Sequence, residues 1–175
     1  MIGRKLSYIM RHNLAILFAS AAIICFNFPH HTIRAQTVDP MAPVAFLEGG
    51  TWLGEGKWPD GSVLRVEVRY FWGPTKRVLH FETYDLATGE RKLIYEGILF
   101  FDVKRGRLVQ YNFKLTGELD ESELIEANSK GYELRGANTR SVVEYTNTNE
   151  FEWRLRVQQA GEWKVILDAK YRRRR

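Results

Sequence analysis

The residues best equipped for chemistry gather in one stretch, RVLHFETYD, Arg77 to Asp85. If the stretch is a strand, Val78, His80, Glu82 and Tyr84 share a face, because alternate side chains point the same way. An imidazole beside a carboxylate, with a phenol next in line, is then an acid/base pair suited to an isomerase or hydrolase, provided it faces an interior. Facing outward, His80 and Glu82 are ordinary solvated residues while Leu79 and Phe81 pack inward.

Other reactive chemistry finds little material. Beyond residue 35 the chain has one histidine, His80, no cysteine, and scattered carboxylates, so no metal-ligand spacing arises and no metal is expected. Ser62, Ser122, Ser129 and Ser141 have no partner fixed by spacing and read as turn or strand-surface residues. The aromatic residues say more. Trp52, Trp58, Tyr70, Trp72, Tyr111, Trp153 and Trp163 are spread over most of the sequence. Core filling accounts for most such residues, and the rest can line a pocket with apolar walls and a few phenol or indole donors. Such a pocket suits a small apolar or amphipathic ligand held non-covalently.

The elements that position these residues have period two. In LRVEVRY, Leu64, Val66, Val68 and Tyr70 oppose Arg65, Glu67 and Arg69. In FEWRLRV, Phe151, Trp153, Leu155 and Val157 oppose Glu152, Arg154 and Arg156, and EWKVILDAKY alternates likewise through Trp163 to Tyr171. One wet face and one buried face mark antiparallel sheet. Turn signals recur at PDG, WGP, ATGE, KRG, NSKG, TNTN and QAG. They delimit about ten strands: 51–58, 62–71, 76–85, 91–102, 107–115, 121–127, 131–136, 140–146, 150–158 and 162–172. Before them, APVAFLEGG predicts a short helix, with Pro43 in its first turn and Gly49 or Gly50 ending it. A meander of this length closes into a barrel to remove its edges.

The first 35 residues carry Arg4, Lys5, Arg11 and Arg34 and no acidic residue, so they hold most of the formal charge of +5. The remainder has 22 basic and 21 acidic residues, which gives no reason to expect a nucleic-acid partner. The apolar run Leu14 to Phe28, after a basic start, reads as a secretory signal. It falls short of the roughly 20 residues a spanning helix needs. The expected organisation is a signal segment over 1–35, a linker over 36–43 and a barrel domain over 44–173, exported to the periplasm or outside the cell. A membrane is met only through the N-terminal segment if it stays uncleaved.

The stretch GGTWLGEGKWPDG, Gly49 to Gly61, has the glycines of a phosphate loop but not its context, since no helix N-terminus follows them. It also looks like part of a glycine-rich hairpin repeat, but YEGILFFDVKRG matches poorly as a second copy. As a barrel strand, Gly54 and Gly56 allow a sharp bend or a close approach of another backbone. FLEGGTWLGEGKWPDG, YEGILFFD and the closing FEWRLRVQQAGEWKVILDAKYRRR resemble lipocalin-like barrels of the nitrobindin type and their uncharacterised bacterial relatives. The resemblance implies an up-and-down barrel of about ten strands with a central cavity. Members that bind haem use a histidine on the last strand. The matching position falls near Ile166, with no histidine beside it, so no cofactor is expected.

The sequence therefore predicts an all-β, antiparallel barrel binding a small apolar molecule. Its rivals are an enzyme built on an interior His80/Glu82 pair with Tyr84, and a structural or interaction barrel with a filled interior.

Overall fold

The computed structural model describes residues 39–174. The expected signal segment and the start of the linker lie outside them.

The chain opens with a 3-10 helix, Ala42–Leu47, with proline in its first turn. Gly49, at φ 68°, takes the left-handed conformation that frees the backbone to enter the first strand. Ten strands follow: β1 (Thr51–Lys57), β2 (Val63–Trp72), β3 (Val78–Asp85), β4 (Lys92–Asp102), β5 (Arg107–Lys114), β6 (Leu119–Asn128), β7 (Gly131–Gly136), β8 (Thr139–Asn147), β9 (Glu150–Gln159) and β10 (Glu162–Arg174). Each pairs antiparallel with its sequence neighbours, and β1 pairs with β10 to close the barrel. The closed, up-and-down, ten-strand arrangement fits a lipocalin-like fold.

Closure depends on the glycines of β1. Gly56 lies opposite Ala169 and Gly54 opposite Tyr171 across the β1–β10 seam. A Cβ at Gly56 would press on the Asp168 carbonyl, and one at Gly54 on the Tyr171 ring and Val66. The expected close approach is therefore real: it brings the last strand, and the ring of Tyr171, against the first. Gly97 on β4 does the same for Phe81, its cross-strand partner on β3.

The inner face holds the core. Val66, Val68, Leu79, Phe81, Leu99, Leu108, Leu134, Val143 and Phe151 are buried there in one cluster with the helix residues Val44 and Leu47. The helix stops the barrel at the end where β1 begins. Trp52 Nε1 donates to the Leu47 carbonyl at 3.0 Å, and Tyr145 donates its hydroxyl to the Pro43 carbonyl at 2.6 Å. Arg173 reaches back from β10 to donate to the carbonyls of Phe46 and Glu48, its guanidinium 4.6 Å from the Trp52 ring centre.

The outer face is laced with ion pairs, unlike the apolar band of a lipid-facing barrel. Arg154 contacts Glu144 at 2.9 Å and Glu152 at 3.2 Å, while Glu150 takes Lys170 at 2.7 Å and Arg172 at 3.0 Å. Glu67, only 4% exposed although it lies on this face, is covered by Arg91 at 2.8 Å, Arg69 at 3.3 Å and Arg174 at 3.5 Å.

Candidate functional site

The pleat of β3 decides the first question. Leu79, Phe81 and Thr83 are buried, and the first two belong to the core cluster. His80, Glu82 and Tyr84 alternate with them, so they stand on the outer wall. There His80 stacks on Phe71 of β2 at 5.3 Å, nearly parallel. Tyr84 donates its hydroxyl to Glu82 at 2.7 Å, and Arg91 lies 3.2 Å above the Tyr84 ring. The arrangement of His80 and Glu82 inside a cavity, which an acid/base centre requires, is not the one the strand adopts.

The interior instead holds a partly open cavity of about 70 Å³. Its wall is built from nearly every quarter of the barrel: Val68 and Tyr70 from β2, Phe81 and Thr83 from β3, Tyr95 from β4, Gln110 from β5. Tyr132 and Leu134 of β7, Ser141 and Val143 of β8, Phe151 and Trp153 of β9 and Tyr171 of β10 complete it. Each faces inward because each sits in register with another core position, as Tyr70 does with Phe81 and Thr83 with Tyr95.

Tyr132 and Tyr171 are buried, and burial raises both phenols well above their ordinary pKa. Desolvation raises Tyr70 and Tyr95 too, although both keep accessible surface. The two observations agree once that surface is recognised as lining the interior cavity rather than the outer wall. Among the described residues, the phenols that donate to protein acceptors are those of Tyr84 and Tyr145. Tyr95 lies beside Thr83, but at a geometry that leaves the Thr83 hydroxyl without a hydrogen bond. Gln110 spends its amide on Asn112 at 2.9 Å.

Of the aromatic residues singled out in the sequence, Tyr70 and Trp153 line this cavity. Trp52 is wholly buried beneath the helix, and Trp72 packs beside the core cluster. Trp58 belongs to the β1–β2 turn, where its carbonyl accepts from Gly61. Tyr111 stacks on Phe100 at 5.9 Å on the outer wall, since its neighbours Gln110 and Asn112 take the inner positions. Trp163 is likewise outside, under Arg140 at 4.4 Å. A β-bulge between Val165 and Leu167 explains the last case: Ile166 is the extra residue, and it reverses the facing of everything before it. The sequence reading missed Tyr95, Tyr132, Tyr171 and Thr83 as a group. Their common signal was placement at inward positions on four strands, visible only with the register known.

No family model matches this chain, and no curated protein matches it. Among solved structures, that of EF1p2_mFAP2b bound to DFHBI is similar at 13% identity and a TM-score of 0.36, covering 77% of this chain and 99% of that one. No group of three or more histidine, cysteine or carboxylate side chains is placed to hold a metal among the described residues.

A second, larger hollow of about 450 Å³ lies at the β6–β7–β8 surface, lined by Glu126, Asn128, Lys130, Glu133 and Glu144 among others. Tyr132 and Val143, which border the interior cavity, line it as well. Of the glutamates there, Glu133 pairs with Arg140 at 3.3 Å and Glu144 with Arg154 at 2.9 Å, while Glu126 accepts from Asn128 at 3.3 Å.

Proposed function

We propose that this protein is an exported, non-catalytic barrel of the nitrobindin-like group that holds one small amphipathic molecule in its interior. The observation that carries this reading is the cavity of about 70 Å³ bordered by both aromatic rings and hydroxyls. A structural barrel with a filled interior has no use for a buried hydroxyl without a partner, as that of Thr83 is, because such a group costs stability. The space is several-fold smaller than the roughly 300 Å³ at which pockets for drug-sized molecules begin. It has room for about two waters, or an organic molecule of about three or four non-hydrogen atoms. The Gly-Thr-Trp opening, the short helix and the glycine strand packed on β10 support the family assignment. The basic, then apolar, N-terminal 35 residues support export.

The test is a thermal-shift and tryptophan-fluorescence titration of the purified protein with neutral molecules of up to about four non-hydrogen atoms. Saturable, one-to-one uptake is expected, and Ser141→Leu, which fills the cavity, should abolish it. A protein that shows no saturable signal with any such molecule is a filled barrel. N-terminal sequencing of exported material should begin after Ala35; an intact Met1 on membrane-bound protein would mean an anchor instead.

A further inference from the structure

The chemistry of the cavity wall selects among small molecules. Tyr70, Tyr95, Tyr132 and Tyr171 come from β2, β4, β7 and β10, so their phenols approach the space from well-separated parts of the wall. Thr83 adds a hydroxyl that is 2% exposed and without a hydrogen bond. Each of these groups can donate as well as accept, and none of the four phenols donates to a protein acceptor, so an oxygen acceptor placed here gains hydrogen bonds that the wall does not make by itself. Among the described residues, no charged side chain borders the cavity. An anion would therefore lose its hydration without meeting a cation, which disfavours it strongly. A hydrocarbon would fit the rings of Phe81, Phe151 and Trp153 but leave the hydroxyls unsatisfied. A neutral molecule with an exposed oxygen lone pair meets both demands.

Building on the reading that the barrel holds a ligand, we propose that the cavity is a selective site for small neutral carbonyl compounds. A ketone or aldehyde oxygen accepts from the phenols and from Thr83, and the apolar body lies against Phe81, Phe151 and Trp153. The binding is reversible and involves no bond making.

Three probes of one size and shape separate the possibilities: acetone, isobutene and acetate, each titrated into the purified protein with the thermal midpoint as readout. Acetone is expected to bind at least about tenfold more tightly than isobutene, and acetate to bind worst. In the double variant Thr83→Val with Tyr95→Phe, the ketone preference should fall by about tenfold while isobutene affinity is retained, which shows the cavity intact. Equal or tighter binding of isobutene, or tighter binding of acetate, overturns the carbonyl proposal and leaves small-ligand binding standing. Saturable binding by none of the three overturns both.

Discussion

Trp52 and Gly97 show how much of this barrel rests on single side chains. Trp52 is fully buried, and its indole N–H supplies the partner of the Leu47 carbonyl. Trp52→Phe keeps an aromatic ring but strands that carbonyl, so a loss of about 1–3 kcal/mol in urea denaturation is expected. Gly97 is a different dependence, on absence of a side chain. Gly97→Ala would drive a methyl into the Phe81 ring and the Tyr111 carbonyl, for a loss of about 1–3 kcal/mol. The same change at Gly61, with open space around it, removes no packing; its cost comes from its φ of 85° alone. Comparing the two variants by urea midpoint separates a packing requirement from a conformational one.

Among the elements, the 3-10 helix is the one held by the fewest ties. It is six residues long and too short to be stable by itself, so its docking contacts sustain it. Phe46 packs its ring edge-on to Tyr145 at 4.6 Å and to Phe151 at 5.8 Å. Arg173→Met would keep an apolar chain over Trp52 but remove the donors to Phe46 and Glu48. Faster hydrogen exchange at the Val44 and Glu48 amides, with unchanged exchange in β3 and β4, is the expected result. Tyr145→Phe removes the bond to Pro43 and should cost about 0.5–1.5 kcal/mol. If exchange at Val44 does not change in either variant, the helix is held by its apolar contacts alone.

For the whole molecule, the buried phenols set the response to base. Burial pushes the Tyr145 phenol from its ordinary 10.0 up to about 12, and raises Tyr70, Tyr95, Tyr132 and Tyr171 as well. A phenol with a raised folded pKa stays protonated in the barrel while the unfolded chain ionises. Its contribution is therefore complete below about pH 10 and is lost as pH climbs through the folded value. The urea midpoint should be flat below about pH 10 and fall steeply above it. Ultraviolet absorbance of the folded protein should show the interior phenols ionising only well above about pH 10. Early, simultaneous ionisation of all tyrosines in folded protein would mean the interior phenols are open to bulk water.

The alternation of LRVEVRY and FEWRLRV, with turns between runs, was enough to fix ten strands almost to the residue, because a one-residue slip would turn every apolar side chain outward. It also placed Glu67 on the outer wall. That the same carboxylate is buried there depends on Arg91 and Arg174, which approach from remote parts of the sequence. The facing of His80 was open because RVLHFETYD alternates plausibly on either side: Val78 and Tyr84 flank it on one face, Leu79 and Phe81 lie on the other. Register with Tyr70 and Leu99 resolved it. The facing of Trp163 was misread across a bulge, since one inserted residue inverts the pleat without leaving any mark in the hydrophobic pattern. The cavity itself had no local signature at all. Tyr70, Thr83, Tyr95, Tyr132 and Tyr171 span a hundred residues of sequence, and only closure of β1 onto β10 turns their strands toward one another. Local periodicity determined which face each strand buries; the global closure of the sheet decided which buried groups meet, because hydroxyls from five strands become neighbours only when the wall curves round on itself.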